Sequence, residues 1–142
     1  MMNKRNSIIT GIAFSFMLIV GTTFPSYAQT KDFAYSLKVG DSETKFGATK
    51  AGGSSFETKY YLTQENVSRP TGSTRYFSYY PKLNGVRAAN GLKLSEDDFK
   101  KHNNTYYSGK AIAGKKYKLY CKFTGSQGTN KVNTTVSGKW TP

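Results

Sequence analysis

The sequence is poor in the residues on which metal sites and disulfide-stabilised domains depend. Its 142 residues include one cysteine, Cys121, and one histidine, His102. A single cysteine cannot form an internal disulfide, so stability must come from the core or from a dimer linked through Cys121. A zinc site needs three or four ligands, which one histidine and one cysteine cannot supply. We therefore expect no bound metal.

Catalytic groups are equally scarce, because the chain has only 8 Asp and Glu. His102 and Cys121 could in principle form a nucleophile–base pair. However, Cys121 alternates with apolar neighbours, which predicts a buried side chain, and His102 lies in a polar stretch typical of an exposed loop. The acids at 96–98 follow Ser95 as at a helix start, which favours a single helical turn over a calcium site. We predict no catalytic residues and no cofactor, and expect a protein that is not an enzyme.

Long apolar runs are absent after residue 20. The run at 8–20 is too short to span a bilayer, follows Lys4 and Arg5, and precedes a small-x-small site that ends at Ala28. This pattern predicts a secretory signal peptide over residues 1–28 and a single secreted, extracellular domain over residues 29–142. The alternative is a buried core helix or a retained anchor. We expect no transmembrane segment after cleavage.

Negative charge is scarce in the predicted mature chain. Once Lys4 and Arg5 are removed with the signal peptide, 19 Lys and Arg face 8 Asp and Glu, a net charge near +11. Most of these cations are lysines, which act as hydrated point charges rather than as bidentate forks. This composition favours diffuse attraction to a polyanion and argues against sequence-specific recognition of nucleic acid. We expect the partner to be an anionic cell-wall polymer or a membrane surface.

Period-two alternation of apolar and polar residues dominates the mature chain. It predicts half-buried antiparallel strands, separated by turn clusters. Asn84-Gly85 is the strongest hairpin signal, because both residues tolerate a positive φ. The sequence predicts an all-β fold: a single small antiparallel β-sandwich, or a small barrel, of about six or seven strands. The clearest predicted strands cover residues 33–37, 56–62, 75–80 (ending at Pro81), 115–123 and 132–140, the last two joined as a hairpin.

Tyrosines and lysines on the outward faces of these strands are the candidate binding residues. In each consecutive aromatic pair one ring should point inward and the other outward, onto a basic sheet. Such a surface could stack sugars or bases, and ordinary cross-strand packing is the alternative. The predicted polyanion or ligand surface comprises Lys116, Lys118, Lys122, Tyr120, Tyr80 and Tyr61.

Four strand-like motifs follow one another along the predicted mature chain: Phe33-x-Tyr35-x-Leu37, Tyr106-Tyr107-Ser108, Lys116-Tyr117-Lys118-Leu119 and Val136-Ser137-Gly138-Lys139-Trp140. Their order resembles a family of small secreted proteins from Gram-positive bacteria, catalogued as domain of unknown function 2712. The resemblance covers most of the mature chain and implies a bacterial, exported, β-rich domain with no established activity. It carries over no functional residues, and the segment 95–98 is an addition to the family's pattern.

These observations favour a non-enzymatic secreted protein that associates with anionic cell-envelope polymers. An exported, bacteriocin-like antagonist of competing bacteria is the first alternative, since it would also be small, cationic and poor in cysteine. A polyanion- or carbohydrate-binding module is the second. We expect a monomer, and a Cys121-linked dimer remains open.

Overall fold

The computed structural model describes residues 28–68, 75–125 and 133–142, which form nine strands and one short 3₁₀ helix. The predicted signal peptide up to residue 27, a predicted turn at 70–73 and most of the predicted loop at 125–130 lie outside these residues. The strands are β1 Lys31–Leu37, β2 Ser42–Thr49, β3 Lys59–Val67, β4 Arg75–Leu83, β5 Val86–Arg87, β6 Leu92–Ser95, β7 Lys101–Thr105, β8 Lys116–Gly125 and β9 Thr134–Thr141.

Two antiparallel sheets pack face to face, which confirms the predicted all-β sandwich. Sheet A has the strand order β1-β9-β3-β7. Sheet B has the order β2-β8-β4-β5, and β6 also pairs with β4. The alternation along each strand directs one set of side chains into the shared core and the other set outward. The described strands number nine rather than six or seven.

Tyrosines link the two sheets through the core, where a disulfide cannot. The hydroxyl of Tyr35 in sheet A donates to the carbonyl of Leu119 in sheet B, at 2.6 Å. The hydroxyl of Tyr79 in sheet B donates to Oε1 of Gln64 in sheet A, at 2.8 Å. Because both of these hydroxyls have a partner, Tyr35 and Tyr79 contribute apolar area without an unsatisfied polar atom.

Cys121 is fully buried, as its alternation predicts. Burial raises the pKa of its thiol far above the ordinary value, so the sulfur stays protonated and unreactive. A disulfide between two copies would require this residue to leave the core.

Three predictions about connectivity and boundaries are wrong. The predicted hairpin 115–140 does not form, because β8 pairs with β2 and β4 in sheet B whereas β9 pairs with β1 and β3 in sheet A. The strand predicted to end at Pro81 continues to Leu83. Pro81 lies between the segments of β4 that pair with β6 and with β5, where a residue without an N–H is tolerated. The strand predicted from residue 56 begins at Lys59 instead.

Two further segments differ from the prediction. None of the predicted strands covers residues 40–55, whereas the structure has β2 there, with its alternation broken by a bulge at Phe46, where φ is 54°. The segment 95–101 forms no helical turn; it has a hydrogen-bonded turn between Ser95 and Asp98, followed by the edge strand β7. The predicted Asn84-Gly85 hairpin is confirmed, with both residues at positive φ between β4 and β5.

Candidate functional site

The outward surface of sheet B carries six cations and is called the basic face below. Register places these side chains together, because directly paired residues in antiparallel strands point to the same side. Among the described residues of this sheet, no outward position on a paired strand carries an acid. The cations are Lys82, Arg87, Lys93, Lys116, Lys118 and Lys122.

The structure brings together all but one of the six predicted surface residues. Lys116, Lys118, Lys122 and Tyr120 lie on β8, and Tyr80 pairs directly with Tyr120 from β4. Tyr61 does not join them, because it lies on β3 in sheet A. Its hydroxyl donates to the Glu57 carboxylate at 2.5 Å, and this hydrogen bond raises the pKa of the phenol. The predicted surface is thus divided between opposite sides of the sandwich.

A stacked pair of tyrosines lies at the centre of the basic face. The rings of Tyr80 and Tyr120 are 4.2 Å apart between centroids and nearly parallel, at 20°. Lys82 Nζ lies 4.7 Å from the centroid of Tyr120, and the Arg87 guanidinium carbon lies 4.4 Å from that of Tyr80. At these distances the rings attract the cations and hold them in place.

This arrangement bears on whether the tyrosines could stack sugars or bases. Sugar or base stacking needs a free ring face, whereas these faces contact each other and the cations Lys82 and Arg87. Partial burial, and then the neighbouring Tyr120, raises the pKa of Tyr80, so that its phenol stays neutral at physiological pH. The tyrosines therefore position positive charge and do not cancel it.

Three cations form a row across the strands at one end of the basic face. Lys118 on β8 pairs with Lys82 on β4, and Lys82 pairs with Arg87 on β5. Neighbouring strands lie about 4.8 Å apart, and like charges directly opposite each other are destabilising. The row is therefore a site of positive potential that a bound anion would stabilise.

The outward surface of sheet A has a mixed charge. Lys139 makes an ion pair with Glu65, with 3.4 Å between Nζ and Oε1, and it also pairs in register with Asp32. Lys101 lies 4.6 Å above the ring of Tyr61, whose hydroxyl contacts Glu57. Acids therefore accompany the cations on this side.

A cavity lies at one end of sheet A and is lined in part by a buried lysine. Its volume is about 400 Å³, and its lining includes Lys50, Glu57 and Lys101. Lys50 is 1% exposed; its Nζ donates to the carbonyl of Lys59 at 3.1 Å and lies 4.5 Å above the ring of Tyr106. Burial lowers the pKa of this amine to about 8, and Glu57 opposes that shift.

His102 lies next to an acid rather than in an exposed loop. Its Nε2 is 2.8 Å from Asp98 Oδ1, and this hydrogen bond lowers the pKa of the carboxyl. Asp98 Oδ1 also accepts from the Lys100 backbone N–H at 3.2 Å. Cys121 lies in the opposite sheet, so the structure does not assemble a Cys–His pair. The contacts of Asp98 organise the connection between β6 and β7.

Metal-binding groups and membrane-spanning helices are two further features that could indicate a function. No group of three or more His, Cys, Asp or Glu side chains in residues 28–68, 75–125 and 133–142 is placed to hold a metal ion. Over the same ranges, no helix is long and apolar enough to cross a membrane.

Three members of the basic face, Lys82, Arg87 and Lys93, are not among the predicted surface residues. Lys82 continues the outward alternation of Tyr76, Ser78 and Tyr80, a signal that the assumed strand end at Pro81 concealed. Arg87 follows from the Asn84-Gly85 hairpin, which places it opposite Lys82. Lys93 lies on β6, which was not predicted, and contacts Tyr76 at 4.5 Å from the ring centroid.

Comparisons with protein-family models, curated proteins and solved structures found no match to this chain. The resemblance to domain of unknown function 2712 stays a prediction.

Proposed function

We propose that this protein is a secreted, non-enzymatic binding protein that associates with anionic cell-envelope polymers through the basic face of sheet B. The observation that carries the proposal is the cluster of six outward cations on one sheet without an acid at any described outward strand position. A surface of one sign attracts a polyanion over about one Debye length, roughly 8 Å at physiological salt.

The tyrosine stack supports a polyanion over a neutral sugar as the ligand. A carbohydrate-binding platform would present open ring faces, whereas Tyr80 and Tyr120 contact each other and two cations. Attraction of Lys82 and Arg87 to the rings also reduces the conformational entropy that these side chains lose when they bind a ligand.

The experiment compares two triple variants of equal net charge in retention on isolated Gram-positive cell wall. Lys82→Gln/Lys118→Gln/Lys122→Gln neutralises the basic face, and Lys59→Gln/Lys101→Gln/Lys139→Gln is the matched control on sheet A. Each cation near an anionic surface contributes about 1 kcal/mol, so the first variant should lose about 100-fold in affinity at low salt. The control should lose less than about tenfold.

Retention should also weaken steadily as salt is raised, because the attraction is screened. Equal losses in the two variants would show that net charge rather than the basic face governs binding. Retention that does not change with salt would contradict the electrostatic account altogether.

A further inference from the structure

A shallow depression lies on the basic face beside the β4–β5 turn. Its volume is about 470 Å³, and it is lined by Thr44, Lys82, Asn84, Gly85, Lys116 and Lys118. Three lysines from two strands thus surround one opening, and no acid is among the described residues that line it. The depression differs in this respect from the cavity beside Lys50, where Glu57 lies among the cations.

Gly47 allows one of these lysines to lie toward the others. Gly47 pairs with Lys118 and is two residues from Thr49, which pairs with Lys116. A Cβ atom at residue 47 would lie 2.5 Å from Lys116 Cε, so the stem of Lys116 occupies the space that a side chain there would fill. The absence of that side chain brings a third positive charge toward Lys118.

Lys82 is held at the depression from two directions. It pairs with Lys118, which repels it, and its Nζ lies 4.7 Å from the ring centroid of Tyr120, which attracts it. The attraction to the ring therefore opposes the repulsion by Lys118. An anion bound between the ammonium groups would attract each of them and so offset their mutual repulsion.

We propose that this depression binds a single phosphate group. The inference rests on the proposed function and specifies the chemical group of the envelope polymer that is recognised. Three ammonium groups around one opening suit a tetrahedral oxyanion, whose several oxygens accept from different directions, and lysine commonly binds phosphate as a point charge. The Thr44 hydroxyl at the rim supplies a further donor.

The test follows the amide NMR signals of the ¹⁵N-labelled protein during titration with inorganic phosphate, with chloride used to keep the ionic strength constant. Saturable shifts are expected at Thr44, Asn84 and Gly85. Acetate at the same concentrations should give no saturable shift. The same saturation with acetate would overturn the assignment to phosphate, and shifts that do not saturate would overturn the site.

Three variants separate a discrete site from diffuse attraction. Lys118→Gln removes a charge inside the depression, and we expect at least tenfold weaker phosphate binding. Lys93→Gln removes the same charge elsewhere on the basic face and should change the affinity less than twofold. Gly47→Ala changes no charge but displaces Lys116, and we expect about threefold weaker binding.

Equal effects of Lys118→Gln and Lys93→Gln would overturn the inference. Cell-wall retention of the unmodified protein is measured in parallel. Retention without saturable phosphate binding would refute the subsite alone, whereas saturable phosphate binding without retention would refute the proposed function and leave the subsite.

Discussion

The two outer surfaces of the sandwich have the same architecture but arrange their charges differently. On sheet A, Lys139 contacts Glu65, and Lys101 lies above a tyrosine that is hydrogen-bonded to Glu57. On sheet B, Lys118, Lys82 and Arg87 are paired with one another across three strands. In both sheets, outward side chains alternate with side chains that enter the shared core. Folding alone therefore does not require the two outer surfaces to differ in charge.

The difference separates what stabilises the fold from what is available for binding. Opposite charges across strands contribute modestly to stability, whereas like charges directly opposite each other weaken it. The basic face therefore opposes folding slightly and is balanced by the aromatic core. Since the cations of the basic face lower the stability of the fold, we expect their role to be the binding of a ligand.

The largest expected effect concerns Gly138 in sheet A. A Cβ atom there would lie 2.0 Å from the Thr63 carbonyl oxygen, which belongs to the backbone and cannot move aside easily. Gly138→Ala should lower the free energy of unfolding by about 2 kcal/mol or more. Denaturation midpoints provide the measurement, and the folded fraction should keep its cell-wall affinity.

Gly47→Ala in sheet B is the matched control for that substitution. The three atoms nearest to its Cβ would all belong to the flexible side chain of Lys116. We expect a loss of less than about 0.5 kcal/mol in stability. Equal destabilisation of the two glycine variants would contradict the close backbone approach at Gly138.

Lys50 is buried and belongs to neither outer surface. Its amine should make the stability of the protein depend on pH. Its amine has a pKa of about 8 in the folded protein and near 10.5 ordinarily, so the unfolded chain binds more protons between these values. The Lys50 contribution to stability should then rise with pH across this interval, by about 1 kcal/mol between pH 8 and pH 9. From about pH 8, ionisation of the Cys121 thiol in the unfolded chain opposes this rise, and ionisation of the core tyrosines adds to the opposition at higher pH.

Lys50→Met isolates this contribution, since its unfolding curve should lack the rise while the contributions of thiol and phenols persist. Urea unfolding of both proteins at several pH values measures the difference. An identical pH dependence in the two proteins would show that the Lys50 amine is not buried as described. Cell-wall retention should be the same for both.

The smallest expected effect concerns the tyrosine beneath Lys82. Tyr120→Leu removes the ring that holds this ammonium, a contact of about 0.5 kcal/mol at a partly exposed site. Retention at low salt should fall two- to threefold. Tyr61→Leu removes the corresponding ring beneath Lys101 on sheet A and should leave retention unchanged. A comparable loss of retention in this variant would contradict the assignment of binding to sheet B rather than sheet A.

The sequence predicts which residues are buried better than it predicts which strands are neighbours. Alternation alone correctly places Phe33, Tyr35, Leu119 and Cys121 in the core, and the Asn84-Gly85 hairpin follows from local backbone preference. Alternation does not specify a partner strand, because the period of two is the same in both sheets. For this reason β8 and β9 were wrongly joined in a hairpin.

The candidate site shows the same limit. The alternation indicates that Tyr61 and Tyr120 both have rings outside the core, and only the strand order assigns them to opposite surfaces. The strand β7 was missed because it consists of polar residues at a sheet edge, where no apolar alternation is needed. The sequence pattern does not indicate the burial of Lys50, since the position of its amine depends on contacts with Lys59, nine residues away, and with Tyr106, which lies far from it along the chain.

An amide-shift map with a soluble linear polyphosphate tests the central claim most directly, because it identifies the surface that binds an anionic polymer without any substitution. The account predicts salt-sensitive shifts along β8, β4 and β5, centred on Lys82, Lys118 and Tyr120, with β1, β9 and β3 little changed. Shifts concentrated on β1, β9 and β3, or spread equally over both sheets, would contradict it.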